Sequence, residues 1–203
     1  MNPFISSEKK EVKEKRPKTI TLKDRTTVSL RLLTIGDLGK LCRMLWSLTD
    51  KTRVFFHDFV VLNFSTFLSN YFKFLLRLLL NSLEYRRHGS YFLGVIALNN
   101  HKKVIGFVYL GIKSYGFFAY ANYGIVVHDD YQGKGLGDVL TSHILEYGKK
   151  LELNKITLTV LTANEKAIQL YKKYGFVIEG LHKRTDVWKD KVFDVYYMAL
   201  HLK

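Results

Sequence analysis

The chain is expected to be an α/β protein of the α+β kind, built on a mixed, mostly antiparallel sheet with helices on both faces. Three observations carry that expectation. Apolar segments between Tyr91 and Val127 form a three-strand meander. A strand–helix–strand crossover follows, from Ile125 to Leu161. Two more strand segments close the chain after a second helix. A meander feeding a crossover needs both antiparallel and parallel pairing in one sheet.

The elements follow in order. Thr27–Leu33 alternates, with Val28, Leu30 and Leu32 on one face, as a half-buried strand would. Thr34-Ile35-Gly36-Asp37 then offers a capping hydroxyl and a first-turn carboxylate for a helix running to about Leu48. Phe64–Tyr85 carries Phe67, Leu68, Tyr71, Phe72, Leu75 and Leu79 at helical spacing and is apolar nearly all round. Strands are expected at Tyr91–Leu98 and Lys103–Lys113, around the polar turn Asn99–Lys102, and at Phe117–Val127. Helix Gly135–Leu151, strand Lys155–Leu161, helix Asn164–Tyr174 and strands Phe176–Arg184 and Val192–Leu202 complete a sheet of about seven strands. There are no internal repeats.

A chain of 203 residues suits one domain with a full core. We expect a basic, mobile tail over residues 1–18 and a single domain over 19–203. Hydrophobic content of 47% and charged content of 25% are ordinary for a soluble globular protein. The net charge of +14 is not ordinary, and it steers the surface toward anions: a nucleotide cofactor, nucleic acid or acidic lipid. No nucleic-acid recognition motif accompanies that charge. A single cysteine, Cys42, excludes an intrachain disulfide and a multi-cysteine zinc site, and its apolar surroundings predict a buried thiol. No metal is expected. Phe59–Phe72 lacks charge but is interrupted by Asp58, Lys73 and Arg77, short of the ~20 apolar residues of a membrane span. No membrane partner and a cytoplasmic location are therefore expected.

The chemistry lies between Gly124 and Tyr147. The strand Ile125-Val126-Val127 runs into a glycine-rich turn and then into a helix with Leu136, Val139, Leu140, Ile144 and Tyr147 on one face. Gly133, Gly135 and Gly137 let backbone approach a ligand closely. The helix N-terminus presents unpaired N–H groups and about half a positive charge, so the turn is a phosphate site to which Lys134 adds charge. The spacing matches neither a Walker loop nor a dinucleotide fingerprint.

Gln132-x-x-Gly135-x-Gly137 after a strand resembles the acetyl-CoA motif of the GNAT (Gcn5-related) acetyltransferase superfamily. A second block, Asn164-x-x-Ala167-x-x-Leu170-Tyr171-x-x-x-Gly175-Phe176, resembles the next characteristic block of the same superfamily, in the same order. The resemblance covers roughly Lys18–Lys203, and its specific part is Asn122–Gly180. It implies a sheet whose central strands splay into a wedge holding acetyl-CoA as co-substrate. Backbone groups of Ile125, Val126 and Val127 would hold the pantetheine and polarise the thioester. Backbone N–H groups from Gln132 through Gly133, Lys134, Gly135, Leu136 and Gly137 to Asp138 would hold the pyrophosphate. Asn164 would bond the pantetheine arm, and Tyr171 would stand beside the sulfur and protonate the leaving thiolate.

The resemblance fails at the base. The glutamates that family members carry correspond to Asn122 and Thr159 here. His128, Asp129, Glu179, His182 and Asp194 are substitutes, as is a water held by Asn122 or Tyr123. Without a strong base, an α-amine or another weakly basic amine is the favoured acceptor, because about a tenth of an α-amine is neutral at pH 7 against about one lysine in 2,500. The aromatic run from Arg53 through His57 to Leu80 would wall the acceptor pocket, with Asn122, Tyr123 and His57 as candidate substrate contacts. The last two strands would cover the pocket or make a homodimer contact. Alternatives are a non-catalytic acyl-CoA sensor and a basic protein associated with nucleic acid or ribosomes.

Overall fold

The computed structural model describes residues 17–56, 91–115 and 117–202. The expected tail up to residue 16, the Phe64–Tyr85 helix, His57 and the acceptor-wall segment beyond Phe56 lie outside the described residues.

An eight-stranded sheet organises the chain, in spatial order β1-β2-β3-β4-β5-β6-β8-β7. The strands are β1 (Lys18–Thr21), β2 (Thr27–Leu32), β3 (Tyr91–Leu98), β4 (Val104–Tyr115), β5 (Phe118–Val127), β6 (Lys155–Leu161), β7 (Val177–Trp188) and β8 (Lys191–His201). The helices are α1 (Leu38–Trp46), the single turn α2 (Asp50–Arg53), α3 (Leu136–Lys150) and α4 (Glu165–Lys173). Every strand pair is antiparallel except β5 with β6. The mixed, mostly antiparallel sheet is therefore as expected, with one strand more. That extra strand, β1, begins at Lys18 inside the segment assigned to the tail. Its four residues are too few to show a period of two.

The two faces of β4, shifted once by a bulge at Ile105, sort the core into two layers. Ile105, Val108, Leu110 and Ile112 join the cluster under α3 and α4, while Val104 and Phe107 join the cluster under α1. In α3, Leu136, Leu140 and Ile144 recur at intervals of four and are almost fully buried. Each such side chain contributes about 1.5–3 kcal/mol of burial. Helix α4 lies beside the start of α3: the Tyr174 hydroxyl donates to Asp138 O at 2.8 Å, and Lys173 pairs with the Asp138 carboxylate.

On the α1 face, Tyr109 stacks with Phe92 and Phe107 at centroid distances of 5.2 and 5.7 Å. Its ring crosses Gly124, its partner on β5, so closely that a Cβ there would fall 2.3–2.6 Å from the ring atoms. Glycine at 124 is thus what lets Tyr109 lie flat over the centre of the sheet. Cys42, in α1, is only half-buried; that burial still pushes its thiol up to about 11, leaving it protonated and unreactive at neutral pH.

Asp37 anchors the passage from β2 to α1. Its carboxylate receives a bidentate pair of hydrogen bonds from Arg31 at 2.5 and 2.6 Å, and others from the Thr34 N–H and hydroxyl. As expected, Thr34 stands at the N-cap and Asp37 in the first turn, and the Asp37 carboxylate reaches back to the Thr34 N–H and hydroxyl in a capping box. The Arg31 guanidinium, opposed by partial burial and aided by Thr34, holds the Asp37 carboxyl down at about 2.

A carboxyl depressed on folding adds stability above its unfolded value and loses it as pH falls through the folded one. Asp37→Asn should therefore cost about 2 kcal/mol at pH 7. Urea unfolding should show that difference shrinking as the pH is lowered from 4 toward about 2. Gly124→Ala should cost about 1–3 kcal/mol through overpacking. Thermal melts should show part of that loss recovered when Tyr109→Ala is added to the same chain.

Candidate active site

The parallel pairing of β5 with β6 covers only Tyr120–Asn122 against Lys155–Thr157. Beyond it the strands diverge: Tyr123–Val127 remains paired with β4, and Leu158–Leu161 remains paired with β8. The Thr157 hydroxyl reaches Asn122 Oδ1 (2.8 Å) and Ala121 O (3.3 Å) across the last paired position and marks the apex of the wedge. A cavity of about 260 Å³ opens there, with Asn122–Ile125 on one side and Thr157–Leu161 on the other. Tyr171 from α4, Tyr109 from β4, Phe55, Asp186 from β7, and Val195 and Tyr197 from β8 complete its lining among the described residues.

The β4–β5 register is unbroken, and the His128 N–H donates to Ile105 O at 2.9 Å. By alternation, the backbone groups of Asn122, Gly124 and Val126 face β4, and those of Tyr123, Ile125 and Val127 face the wedge. Of the three residues expected to present backbone to a ligand, Ile125 and Val127 are so placed. Val126 is not, because its peptide groups belong to the β4 ladder and its side chain is buried under α1.

At the open end of the wedge, Gly133 (φ 74°) and Gly135 (φ 88°) take the left-handed conformation, and Gly135 caps α3. Val139 N–H donates to Gly135 O at 3.1 Å, which leaves the amides of Leu136, Gly137 and Asp138 without helical acceptors. Gln132 behaves differently from the rest of the turn. Its own N–H is satisfied by Asp129 O (3.2 Å), while its side chain donates to Thr52 Oγ1 (2.9 Å) and Val127 O (3.1 Å). It braces the turn against α2 and β5.

Lys134 was expected to add its charge at the helix end; instead it pairs with Asp24 at 3.0 Å and lies over the Tyr131 ring. Lys23, which nothing in the sequence singles out among 32 cationic residues, has its stem 3.5–3.6 Å from where a Gly135 Cβ would be. Among the described residues Lys23 forms no ion pair. The Asp138 side chain turns toward Lys173, so its negative charge is compensated beside the helix end.

Asn164 caps α4, its side-chain oxygen accepting from Ala167 N–H at 3.3 Å. Its amide NH2 remains available for a ligand. Tyr171 is buried, with its ring edge-on to Tyr123 at 5.7 Å. Burial pushes the Tyr171 phenol well above its usual value, and the nearby Tyr109 phenol adds to the shift. Its hydroxyl makes no hydrogen bond among the described residues. Tyr123 is among the residues lining the cavity, but its hydroxyl is engaged elsewhere. Thr141 donates to Gly137 O (2.7 Å), so the Tyr123 hydroxyl donates to Thr141 (2.8 Å) and is turned away from any substrate.

None of the five side chains named as substitute bases lines the cavity. His128 accepts from Asp130 N–H at 3.3 Å. Asp129 is penalised by burial, but hydrogen bonds from Thr49 and Thr52 outweigh that and hold its carboxyl below the usual range. Glu179 pairs with Lys155 (2.7 Å) and His201 (2.9 Å), and Asp194 accepts from Arg184 N–H (2.8 Å). His182 packs on the Tyr197 ring at 4.3 Å. The one carboxylate in the described lining is Asp186, beyond the point where β7 was expected to end. No sequence signal distinguishes it. Among the described residues there is no cluster of three potential metal ligands, and no helix long and apolar enough to cross a membrane.

Comparison with known proteins bears on the same region. Over 80 residues the chain is 38% identical to the L-amino acid N-acetyltransferase AaaT of Escherichia coli K12, covering 39% of this chain and 49% of that protein. Over 61 residues it is 43% identical to the spermidine N(1)-acetyltransferase of the same organism, covering 30% and 33%. The aligned part thus spans half or less of the length of these curated relatives. The crystal structure of Vibrio cholerae spermidine N-acetyltransferase in complex with CoA and spermine superposes with a TM-score of 0.65 at 24% identity, over 86% of this chain and 95% of that one, which shows a shared fold. The model of the acetyltransferase (GNAT) family matches residues 55–176, more than half of the chain. With the splayed strands, the glycine turn and Tyr171 in one wedge, the chain belongs to the GNAT acetyltransferase family.

Proposed function

We propose that the protein transfers an acetyl group from acetyl-CoA to a primary amine by direct attack. The observation that carries this reading is the wedge between β5 and β6: one opening joins a helix N-terminus suited to a pyrophosphate with a cavity lined by Tyr171. Acetyl-CoA would lie with its pyrophosphate on the amides of Leu136–Asp138 and its pantetheine along Val127 and Ile125. The acetyl group would then enter the cavity.

The residues divide the chemistry. The wedge-facing N–H of Ile125 would stabilise the oxyanion formed as the amine adds to the thioester carbonyl. Tyr171, protonated at pH 7 as any phenol is, would give its proton to the sulfur as the C–S bond breaks. Asn164 would reach the pantetheine amide through its free NH2 while its oxygen caps α4. Lys23, rather than Lys134, is the cation placed to meet a phosphate at Gly135.

The acceptor is proposed to be an α-amine or a similarly weakly basic amine in preference to a polyamine. The positions of the family's glutamates, Asn122 and Thr159, supply no carboxylate, and an amine already partly neutral at pH 7 needs less help from a base. The L-amino acid acetyltransferase among the relatives fits this preference, whereas the spermidine enzymes do not.

Steady release of free CoA from acetyl-CoA in the presence of peptide α-amines should exceed that with spermidine. Faster turnover of spermidine would overturn the preference, and CoA binding without turnover on any amine would point to a sensor. Tyr171→Phe should slow turnover about 100-fold while leaving CoA affinity within about threefold. In titration calorimetry with CoA, Lys23→Ala should weaken binding several-fold, by about 1 kcal/mol, and Lys134→Ala should change it much less.

A further inference from the structure

We infer that Asp186 is the carboxylate that receives the acceptor amine and takes its first proton, supplying the base that Asn122 and Thr159 do not. The inference rests on the acetyltransferase reading above and adds to it a residue for the acceptor side.

The placement of Asp186 comes from a bulge. Strand β7 pairs His182 with Val195 and then Asp186 with Phe193, so Lys183, Arg184 and Thr185 together face Asp194 alone. The bulge is held by the Asp194 carboxylate, which accepts from Arg184 N–H at 2.8 Å, and by a left-handed Arg184 (φ 54°). An unbroken ladder would put Arg184 opposite Phe193 and Asp186 opposite Lys191. The insertion instead carries Asp186 two positions along the strand, about 6–7 Å. It exchanges a cation for an anion on the face where Val195 and Tyr197 line the cavity. Bulges beside active sites commonly re-aim one side chain in this way.

A left-handed bulge, stabilised by the Asp194 side chain, is what brings the Asp186 carboxylate to the wall of the cavity. The chemistry of that carboxylate suits an ammonium. The acceptor R–NH3+ donates a hydrogen bond to Asp186 and transfers one proton to it. The neutral nitrogen then attacks the thioester carbon, the C–S bond breaks, and the sulfur takes the Tyr171 proton. The second proton lost by nitrogen restores the Tyr171 phenol through solvent in the cavity, and Asp186 releases its own proton to water. The products are the acetamide, CoA thiol and one proton, which balances the reaction.

The test compares Asp186→Asn and Asp186→Glu with the unaltered enzyme on two acceptors of similar shape, a primary amine and a hydrazide that is already neutral at pH 7. Asp186→Asn should lower kcat/KM about 100-fold for the amine and less than about threefold for the hydrazide, with Asp186→Glu recovering much of the amine activity. CoA affinity should be unchanged in both variants, which reports an intact wedge. Equal losses on both acceptors would mean a structural role and overturn the inference; so would unaltered amine turnover. If Asp186→Asn loses CoA affinity, Asp186→Ser is read by the same ratio of amine to hydrazide activity. Failure of the unaltered enzyme on every amine would instead remove the acetyltransferase reading itself.

Discussion

Three residues of parallel pairing between β5 and β6, followed by divergence, set the geometry on which everything else in the molecule depends. Parallel neighbours need a crossover, and α3 supplies it, so the helix that starts at the glycine turn must return over the sheet to begin β6. The divergence then exposes the wedge-facing peptide groups of Ile125 and the N–H of Val127, whose carbonyl is taken by Gln132. Each strand keeps its outer partner, β4 or β8, so the opening does not unravel the sheet. The Thr157 hydroxyl on Asn122 and Ala121 closes the narrow end. Gln132 on Val127 O fixes the wide end.

Electrostatics at the wide end are quieter than the net charge suggests. Lys134 is neutralised by Asp24, and Asp138 by Lys173. Among the described residues, what remains for an anion is the fixed dipole of α3 and the ammonium of Lys23. A site built mainly from oriented amides is less sensitive to salt than a cluster of lysines would be, because buried or fixed dipoles are screened less than exposed charges. The excess positive charge of the chain therefore acts at long range, while recognition at the turn is local.

The features legible in the sequence were those with a short-range cause. The helix Leu136–Lys150 announces itself by apolar residues at intervals of three and four, and β3–β5 by length and β-branched content. Gly133 and Gly135 betray a turn because left-handed backbone needs glycine. The features that were not legible depend on partners far along the chain. Lys134 stands in the right place locally, but Asp24 diverts it. Tyr123 looks available until Thr141 claims its hydroxyl. Asp186 enters the cavity through a two-residue register shift that the charged run His182–Asp186 does not encode in any period, and β7 was consequently expected to stop at Arg184.

Thr52 touches both Gln132 Nε2 and the Asp129 carboxylate, across sequence separations of 80 and 77 residues, and Thr49 reaches Asp129 across 80. The bracing of the turn thus reaches across nearly the length of chain between α2 and the glycines, although the turn itself is only a few residues long. Closing such loops costs entropy before any contact repays it, which places the final shape of the turn late in folding. An excised segment carrying both characteristic sequence blocks would keep the glycines and the helix but lose the strap that holds them. The anion site is in that sense a property of the finished topology, not a portable peptide.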